Sequence, residues 1–298
     1  MKPAPFEYRR PETVEEVIHL LAEYGDEAKL LAGGQSLIPT MNFRLAQPAM
    51  LIDLNTVEGL DGLDAGDDGS LRMGAMVRQA MAEKSALVAE RVPLLAETLP
   101  YVAHAQIRNR GTIGGNLAHA DPRSELPAVM LALAASVTVR GPDGERSIGA
   151  RDFFAGFFET ALEEGELLTE VVLPPAVEGG GQAFLEVSRR LGDYAMVGVA
   201  ASVVCDGAGR CDQASIALLS VGSRPMLAER ASACLVGERP SRAAVVAAGH
   251  AAGNQDIDPP ADMHASVAYR RRLATVLVRR ALTTAFERAG CVIGEGAS

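Results

Sequence analysis

The stretch QIRNRGTIGGNLAHADPRSELP, residues 106–127, governs how the rest of the chain is read. A β-branched pair, Thr112 and Ile113, follows Gly111 and runs into a glycine pair, Gly114 and Gly115, and then Asn116. Adjacent glycines remove side chains that would block a ligand, and they permit backbone angles that other residues resist. A turn of this kind can aim several N–H groups at one anion. A second turn of the same design lies upstream at residues 32–37, AGGQSL, where Ala32 leads into Gly33, Gly34, Gln35, Ser36 and Leu37.

Each turn follows an apolar, strand-like run. One glycine pair alone most often marks a tight turn and nothing more. Two of them, each continued by small polar residues (Gln35 and Ser36; Thr112 and Asn116), point to one large phosphate-bearing ligand gripped from two sides. A pyrophosphate can be neutralised by backbone N–H groups and a helix N-terminus, so the scarcity of lysine near either turn is no objection. Asp121 and Glu125 close the stretch. The plainer reading makes Asp121 a cap for a helix starting near Ser124, with Glu125 in its first turn. The functional reading has a carboxylate taking hydrogen bonds from sugar or ribityl hydroxyls, and both can hold at once.

The chain has 298 residues, enough for two domains, and nearly half of them are hydrophobic, enough for sizeable cores. A formal net charge of −10 argues against nucleic acid or an anionic membrane surface as partner. The arginines at 270–272 and 279–280 read as a solvated helix face. The four cysteines, Cys205, Cys211, Cys234 and Cys291, show no C-x-x-C spacing, so neither an iron–sulfur cluster nor a structural zinc site is signalled. Scattered thiols fit a reducing compartment. The first residues carry no apolar h-region and no run is long enough to span a bilayer, so the expectation is a cytoplasmic protein without a membrane span.

Hydrophobic periodicity and turn residues give the organisation. A short strand at 6–9, a capping box at Thr13 and Glu16, a helix ending at Gly25, a strand at 29–32, a short helix at 36–43 and a strand at 50–54 make a β-α-β-α-β start. A hairpin at 60–74 follows, whose aspartates lack the spacing of an EF-hand loop. Helices are expected at 77–89, 93–102 and 126–135, a hairpin at 136–148, and a strand at 167–173. The segment PPAVEGGG, 174–181, is the clearest linker. Beyond it, strands are expected at 182–190, 197–205 and 215–221, although 195–204 also suits a helix. Helices at 226–235, 241–252 and 266–289 complete the chain.

Several chemistries are missing. There is no G-x-G-x-x-G after the first strand, no Walker motif, no H-E-x-x-H and no G-x-S-x-G. The five histidines form no metal-ligand spacing, and a structural role is the first reading for each. Only His119 lies close enough to the glycine turn to touch a ligand.

At this point the motifs match a known family. AGGQSL at 32–37, RNRGTIGGNLAHADPRSELPA at 108–128 and SRRLGDYAMVGVA at 188–200 resemble the FAD-binding medium subunit of molybdenum hydroxylases, the xanthine dehydrogenase family. The likeness is strongest to the medium subunit of aerobic carbon monoxide dehydrogenase, and it covers essentially the whole chain.

The resemblance implies an α+β fold: a two-subdomain FAD-binding domain of the PCMH or vanillyl-alcohol-oxidase-like kind at 1–175 (subdomains 1–57 and 58–175), a linker at 176–181, and a C-terminal domain of a small antiparallel sheet plus a helical bundle at 182–290. It implies that Ala32, Gly33, Gly34, Gln35, Ser36 and Leu37 form the first pyrophosphate loop and Gly111, Thr112, Ile113, Gly114, Gly115 and Asn116 the second. Gln35 stands where the family often has His. Glu125 stands where it commonly has Asp against the ribityl or ribose region, and Asp121 lies beside it. Leu168 matches a position near the flavin ring, and Tyr194 an aromatic lying on the isoalloxazine. From the residues alone, Tyr194 reads as a core tyrosine.

The implied activity is electron relay through FAD, with no catalytic acid or base and no metal on this chain. Molybdopterin sits on a large partner and [2Fe-2S] clusters on a small one, in a dimer of heterotrimers. The acceptor is a quinone, a cytochrome, NAD or oxygen. A self-contained FAD-dependent oxidase or dehydrogenase of the same fold is the alternative. It requires a titratable pair over the flavin, and none is evident in the sequence.

Overall fold

The structure, a computed structural model, describes residues 2–295. After β1 (Glu7–Arg9), Thr13 starts α1 (Val14–Tyr24). Its hydroxyl accepts from the Glu16 N–H at 3.2 Å, while the Glu16 carboxylate reaches back to the Glu12 N–H at 2.7 Å. Gly25 ends the helix by donating its N–H to Leu21. β2 (Ala28–Leu31), α2 (Leu37–Asn42) and β3 (Met50–Asp53) follow. All three strands are parallel in the order β1-β3-β2. The central strand β3 is buried at all four residues, as a parallel strand covered on both faces should be.

β4 (Leu63–Ala65) and β5 (Leu71–Gly74) form the expected hairpin. Where the sequence predicts two helices at 77–102, the structure has three: α3 (Gln79–Lys84), α4 (Ala86–Arg91) and α5 (Pro93–Thr98). The breaks have local causes. Ser85 caps α4 by accepting from Val88 at 3.3 Å, and Pro93 takes the first position of α5, where its missing N–H costs nothing. The short α6 (Ala105–Arg108) leads to α7 (Ile113–His119) and α8 (Glu125–Ala132).

Every residue of α8 is buried, so the helix is surrounded. β6 (Ser136–Gly141), β7 (Gly144–Gly149), α9 (Ala150–Phe153), the β8 (Phe154–Gly156) and β9 (Glu159–Thr160) hairpin, and β10 (Leu167–Leu173) complete this part. Its sheet runs β4-β5-β10-β6-β7, antiparallel throughout.

β11 (Gly180–Val187), β12 (Val197–Cys205), β13 (Cys211–Leu219) and β14 (Met226–Leu227) form the last sheet in sequential antiparallel order. Residues 197–205 are strand, which settles the helix-or-strand choice for that segment. β11 takes in the end of the glycine-rich stretch, because Gly180 and Gly181 pair with Val204 and Val203. Residues 226–227, expected in a helix, pair instead with Leu218 and Ala217, and α10 is confined to Glu229–Ala233. α11 (Arg242–Ala251) and α12 (Val267–Arg288) lie within a residue or two of the predicted bounds.

The sheet is covered on both faces. Ala183, Val199 and Ala201 enter one core with Leu282 and Phe286 of α12, while Phe184, Ala200 and Ala217 enter another with Leu95 of α5 and Leu126 of α8. The packing of α12 along the sheet brings Cys205 and Cys291, 86 residues apart, side by side with their Cα atoms 7.0 Å apart, while Cys211 and Cys234 lie elsewhere. Among the described residues no helix is long and apolar enough to cross a membrane.

Candidate functional site

The two glycine turns meet along a seam, and both line one cavity of about 620 Å³, within the range of cofactor sites. All of the sequence-predicted site residues line it except Gly34 and Ile113. Ile113 is fully buried in the core, and its N–H donates to Val77 at 2.9 Å. Gly34 backs onto Leu31 and Ile38. Neither contributes a side chain to the cavity lining.

The turns do different work. In the first, the consecutive N–H groups of Gly33, Gly34, Gln35, Ser36 and Leu37 have no acceptor among the described residues. The Gln35 side chain folds back to donate to Gly33 O at 2.9 Å, bracing the turn. In the second turn the N–H groups are already engaged. Ile113 and Gly114 donate to Val77 and Ala75, Gly115 to the Thr112 hydroxyl at 3.0 Å, and Asn116 to Thr112 O. The second turn therefore supplies shape and side chains, and the first supplies free donors. Gly114 is required by close approach: a Cβ there would lie 2.5 Å from Ala75 Cβ and 2.7 Å from its Cα.

Two residues that the sequence did not single out tie the turns together. Asn55, just past β3, donates to Ala32 O at 3.0 Å and accepts from Arg78. The Arg78 guanidinium also donates to Arg110 O. Gln79 lines the cavity with its Oε1 buried and unpartnered, an acceptor waiting for a donor.

Leu168 is 4% exposed and sits at an irregularity in the β10–β6 pairing, between Leu168 and Glu170, which re-aims the side chains there. Asp121 does not cap α8. It accepts from the Arg123 N–H at 2.9 Å, and Ser124 takes the cap position. His119 lines the cavity and stacks on Phe158 at 4.9 Å; burial lowers its pKa, with Asp121 acting partly against that.

Tyr194 is 59% exposed, so the core reading does not hold. Its hydroxyl meets Asp121, and burial together with the charges of Asp121 and Glu125 pushes its pKa up to about 12. The loop carrying it is clamped where β12 begins. Ser220 Oγ donates to Ala195 O at 2.7 Å, and buried Arg270 of α12 donates to Met196 O and, at 3.1 Å, to Ser220 O. Asp262 accepts from Arg270 at 2.6 Å and from Arg123 at 3.0 Å. Burial alone would raise the Asp262 pKa, but the N–H groups of His264 and Ala265 and the Arg270 charge outweigh it and hold it down to about 2.

The last group is a pair of carboxyls. Glu125 is 5% exposed at the start of α8; burial first, then the charge of Glu186, pushes its pKa up to about 8. Glu186, on β11, is pushed up to about 7 by burial. Nothing in the local pattern marks Glu186, which alternates along a strand like a solvent-facing residue.

The chain matches two family models. The first, FAD binding domain in molybdopterin dehydrogenase, covers residues 4–176, and the second, CO dehydrogenase flavoprotein C-terminal domain, covers residues 182–285. It is 42% identical to the 6-hydroxypseudooxynicotine dehydrogenase complex subunit alpha of Paenarthrobacter nicotinovorans, over 97% of each chain. It is 39% identical to the carbon monoxide dehydrogenase medium chain of Afipia carboxidovorans, over 97% of this chain and 99% of that one. Its structure superposes on a chain of the carbon monoxide dehydrogenase of Hydrogenophaga pseudoflava with a TM-score of 0.94 at 39% identity, covering 98% of this chain and all of the other.

Proposed function

The chain belongs to the FAD-binding medium subunits of the molybdopterin-dependent dehydrogenases, carbon monoxide dehydrogenase among them, and we propose which of its residues hold the cofactor and how it serves a larger complex. The observation that carries the reading is the run of free N–H groups at 33–37, in a turn whose Gly33, Gln35, Ser36 and Leu37 line the same cavity as Leu168 and Tyr194. The free donors take the pyrophosphate, with the second turn closing the adjoining wall through Thr112, Gly115 and Asn116. Gln79 accepts from a cofactor hydroxyl or amine, which would satisfy its orphaned Oε1. Tyr194 and Leu168 lie against the ring system, where an aromatic face shields it from water.

FAD, when bound, supplies the electron-accepting and electron-donating chemistry. The chain's own residues bind it, orient it and set the local field. The FAD-binding domain spans 1–175, with subdomains 1–57 and 58–175, and a linker at 176–181 leads to the domain at 182–290, which brings Tyr194 to the cavity. Substrate oxidation takes place at a molybdopterin centre on a large partner, and iron–sulfur clusters on a small partner deliver electrons here, in a dimer of heterotrimers working in the cytoplasm. A quinone, cytochrome, NAD or oxygen then receives them. The self-contained oxidase is set aside, since the chain aligns with medium subunits over 97% of its length.

The test is a visible absorption spectrum of the purified full chain, before and after adding FAD, with the flavin released by heat and identified. Bound FAD supports the reading. No flavin in the chain, even in the complex isolated from native cells, overturns it.

A further inference from the structure

The turn Asp121–Ser124, between α7 and α8, joins the second glycine turn to the segment that carries Tyr194. On the α7 side, Ser124 Oγ donates to Asn116 Oδ1 at 2.8 Å. The Ser124 N–H donates to Asp121 O at 2.9 Å, and the Arg123 N–H to Asp121 Oδ1 at 2.9 Å, so the turn is closed on itself. On the other side two bonds cross from the part of the chain at 4–176 to the part at 182–285. The Ser220 N–H, just past β13, donates to Pro122 O at 2.9 Å, and the Arg123 guanidinium donates to Asp262 at 3.0 Å. Both receiving groups act on the neighbours of Tyr194. Ser220 Oγ donates to Ala195 O at 2.7 Å, and Asp262 holds Arg270, which donates to Met196 O. A bonded path therefore runs from Asn116, in the second glycine turn, to the two residues after Tyr194.

The backbone at this joint is held in an unusual state. Ala120, just before the turn, has φ 49°, and Ser220 has φ 63°, and both are buried. This left-handed region is uncommon for residues other than glycine. Such conformations persist where the surroundings over-determine them, and they gather at ligand clamps. Arg123 itself lies outside the cavity lining, and its ion pair with Asp262 is partly open to water. An exposed pair of this kind adds little to stability, so what sets it apart is its place across the joint.

We propose that Arg123 is a positioning residue for Tyr194. By holding Asp262 across the joint, it fixes the aromatic relative to the second glycine turn, and so on the ring of a cofactor bound at both. The inference rests on the FAD reading for what the aromatic meets, and not for the placement of Tyr194 itself. A residue that acts in this way has no effect on the flavin once Tyr194 is gone, and a double-mutant cycle measures that dependence.

The chain contains no tryptophan, so Tyr194→Trp puts a single indole at the position in question. In the cofactor-free full chain carrying that change, Arg123→Met should lower the indole's fluorescence anisotropy, and an unchanged anisotropy overturns the proposal. The second measurement uses the full chain loaded with FAD, reduced by dithionite and reoxidised by ferricyanide. Arg123→Met should change the reoxidation rate by about threefold or more, in the direction that Tyr194→Ala does, because small misplacements at a reacting group have large effects on rate. Its unfolding midpoint should move little. Added to Tyr194→Ala, Arg123→Met should change the rate no further. An unchanged rate in Arg123→Met, or an equal change with and without Tyr194, overturns the proposal. Failure of wild type to bind FAD counts against the cofactor reading, while the anisotropy still decides the positioning.

Discussion

Asn55 accepts a hydrogen bond from the guanidinium of Arg78 while its own amide donates to Ala32 O at 3.0 Å. Arg78 in turn holds Arg110 O, so one side-chain bridge spans the two glycine turns. Arg78→Met keeps most of the stem and removes both bonds. Two lost hydrogen bonds to a charged donor are worth ~1–3 kcal/mol each at partly buried sites. FAD affinity should drop about tenfold or more, with a smaller loss of thermal stability. Equal FAD affinity in wild type and variant would show that the bridge does not set the spacing of the turns.

Gly33 and Gly114 are both held by close approach, one at the seam beside the cavity and one in the core. A Cβ on Gly33 would collide with Arg110 O and lie 2.8 Å from Gly111 Cα, at the seam between the turns. A Cβ on Gly114 would press into Ala75, within the core. Gly33→Ala should abolish FAD retention and also lower the unfolding midpoint modestly, because its Cβ meets the backbone of the second turn. Gly114→Val should destabilise the chain as well, by ~1–3 kcal/mol or more from overpacking. Measuring bound flavin and thermal midpoint on both variants checks this, and the reverse pattern would misplace the seam.

The parts of this site that local sequence controls were legible. The glycine pairs located both turns, although only the first follows a strand; the second follows α6, and its glycines lie in the first turn of α7. The capping box at Thr13 and the proline-rich stop after residue 173 located their elements. What was not legible depends on distant pairing. Asn55 reaches Ala32 only because β3 lies beside β2, and Arg78 reaches Arg110 across 32 residues. Glu186 alternates as a solvent-facing strand residue does, and one of its carboxyl oxygens is buried because the sheet is covered on both faces. The division of labour between the turns was also hidden, since Val77 and Ala75, which consume the N–H groups of Ile113 and Gly114, lie in a separate segment.

Arg270 positions the segment that follows Tyr194. It is 2% exposed, and Arg270→Met leaves the carbonyls of Met196 and Ser220 without the guanidinium and the Asp262 carboxylate with Arg123 as its one remaining side-chain donor among the described residues. Breaking a buried pair from one side costs ~3–5 kcal/mol. Tyr194→Ala removes an exposed side chain and should leave stability nearly unchanged. Both variants should alter the bound flavin's absorption and its rate of reoxidation, but only Arg270→Met should lower the unfolding midpoint. An unaltered flavin in Tyr194→Ala would remove that residue from the ring.

The acidic groups set opposite trends of stability with pH. The Asp262 pKa is depressed to about 2, so its stabilisation is present above its unfolded value near 4 and is lost as pH falls through 2. The Glu125 pKa is raised to about 8, so its contribution is complete below its unfolded value near 4 and declines as pH rises through 8. A single group of this kind changes stability by at most ~1.4 kcal/mol per pH unit. Urea unfolding at pH 6 and pH 8.5 should therefore show wild type weakening toward the higher pH. Glu125→Gln, which cannot ionise there, should weaken much less. Parallel declines in the two proteins would mean that Glu125 is already ionised at pH 6 in the folded chain.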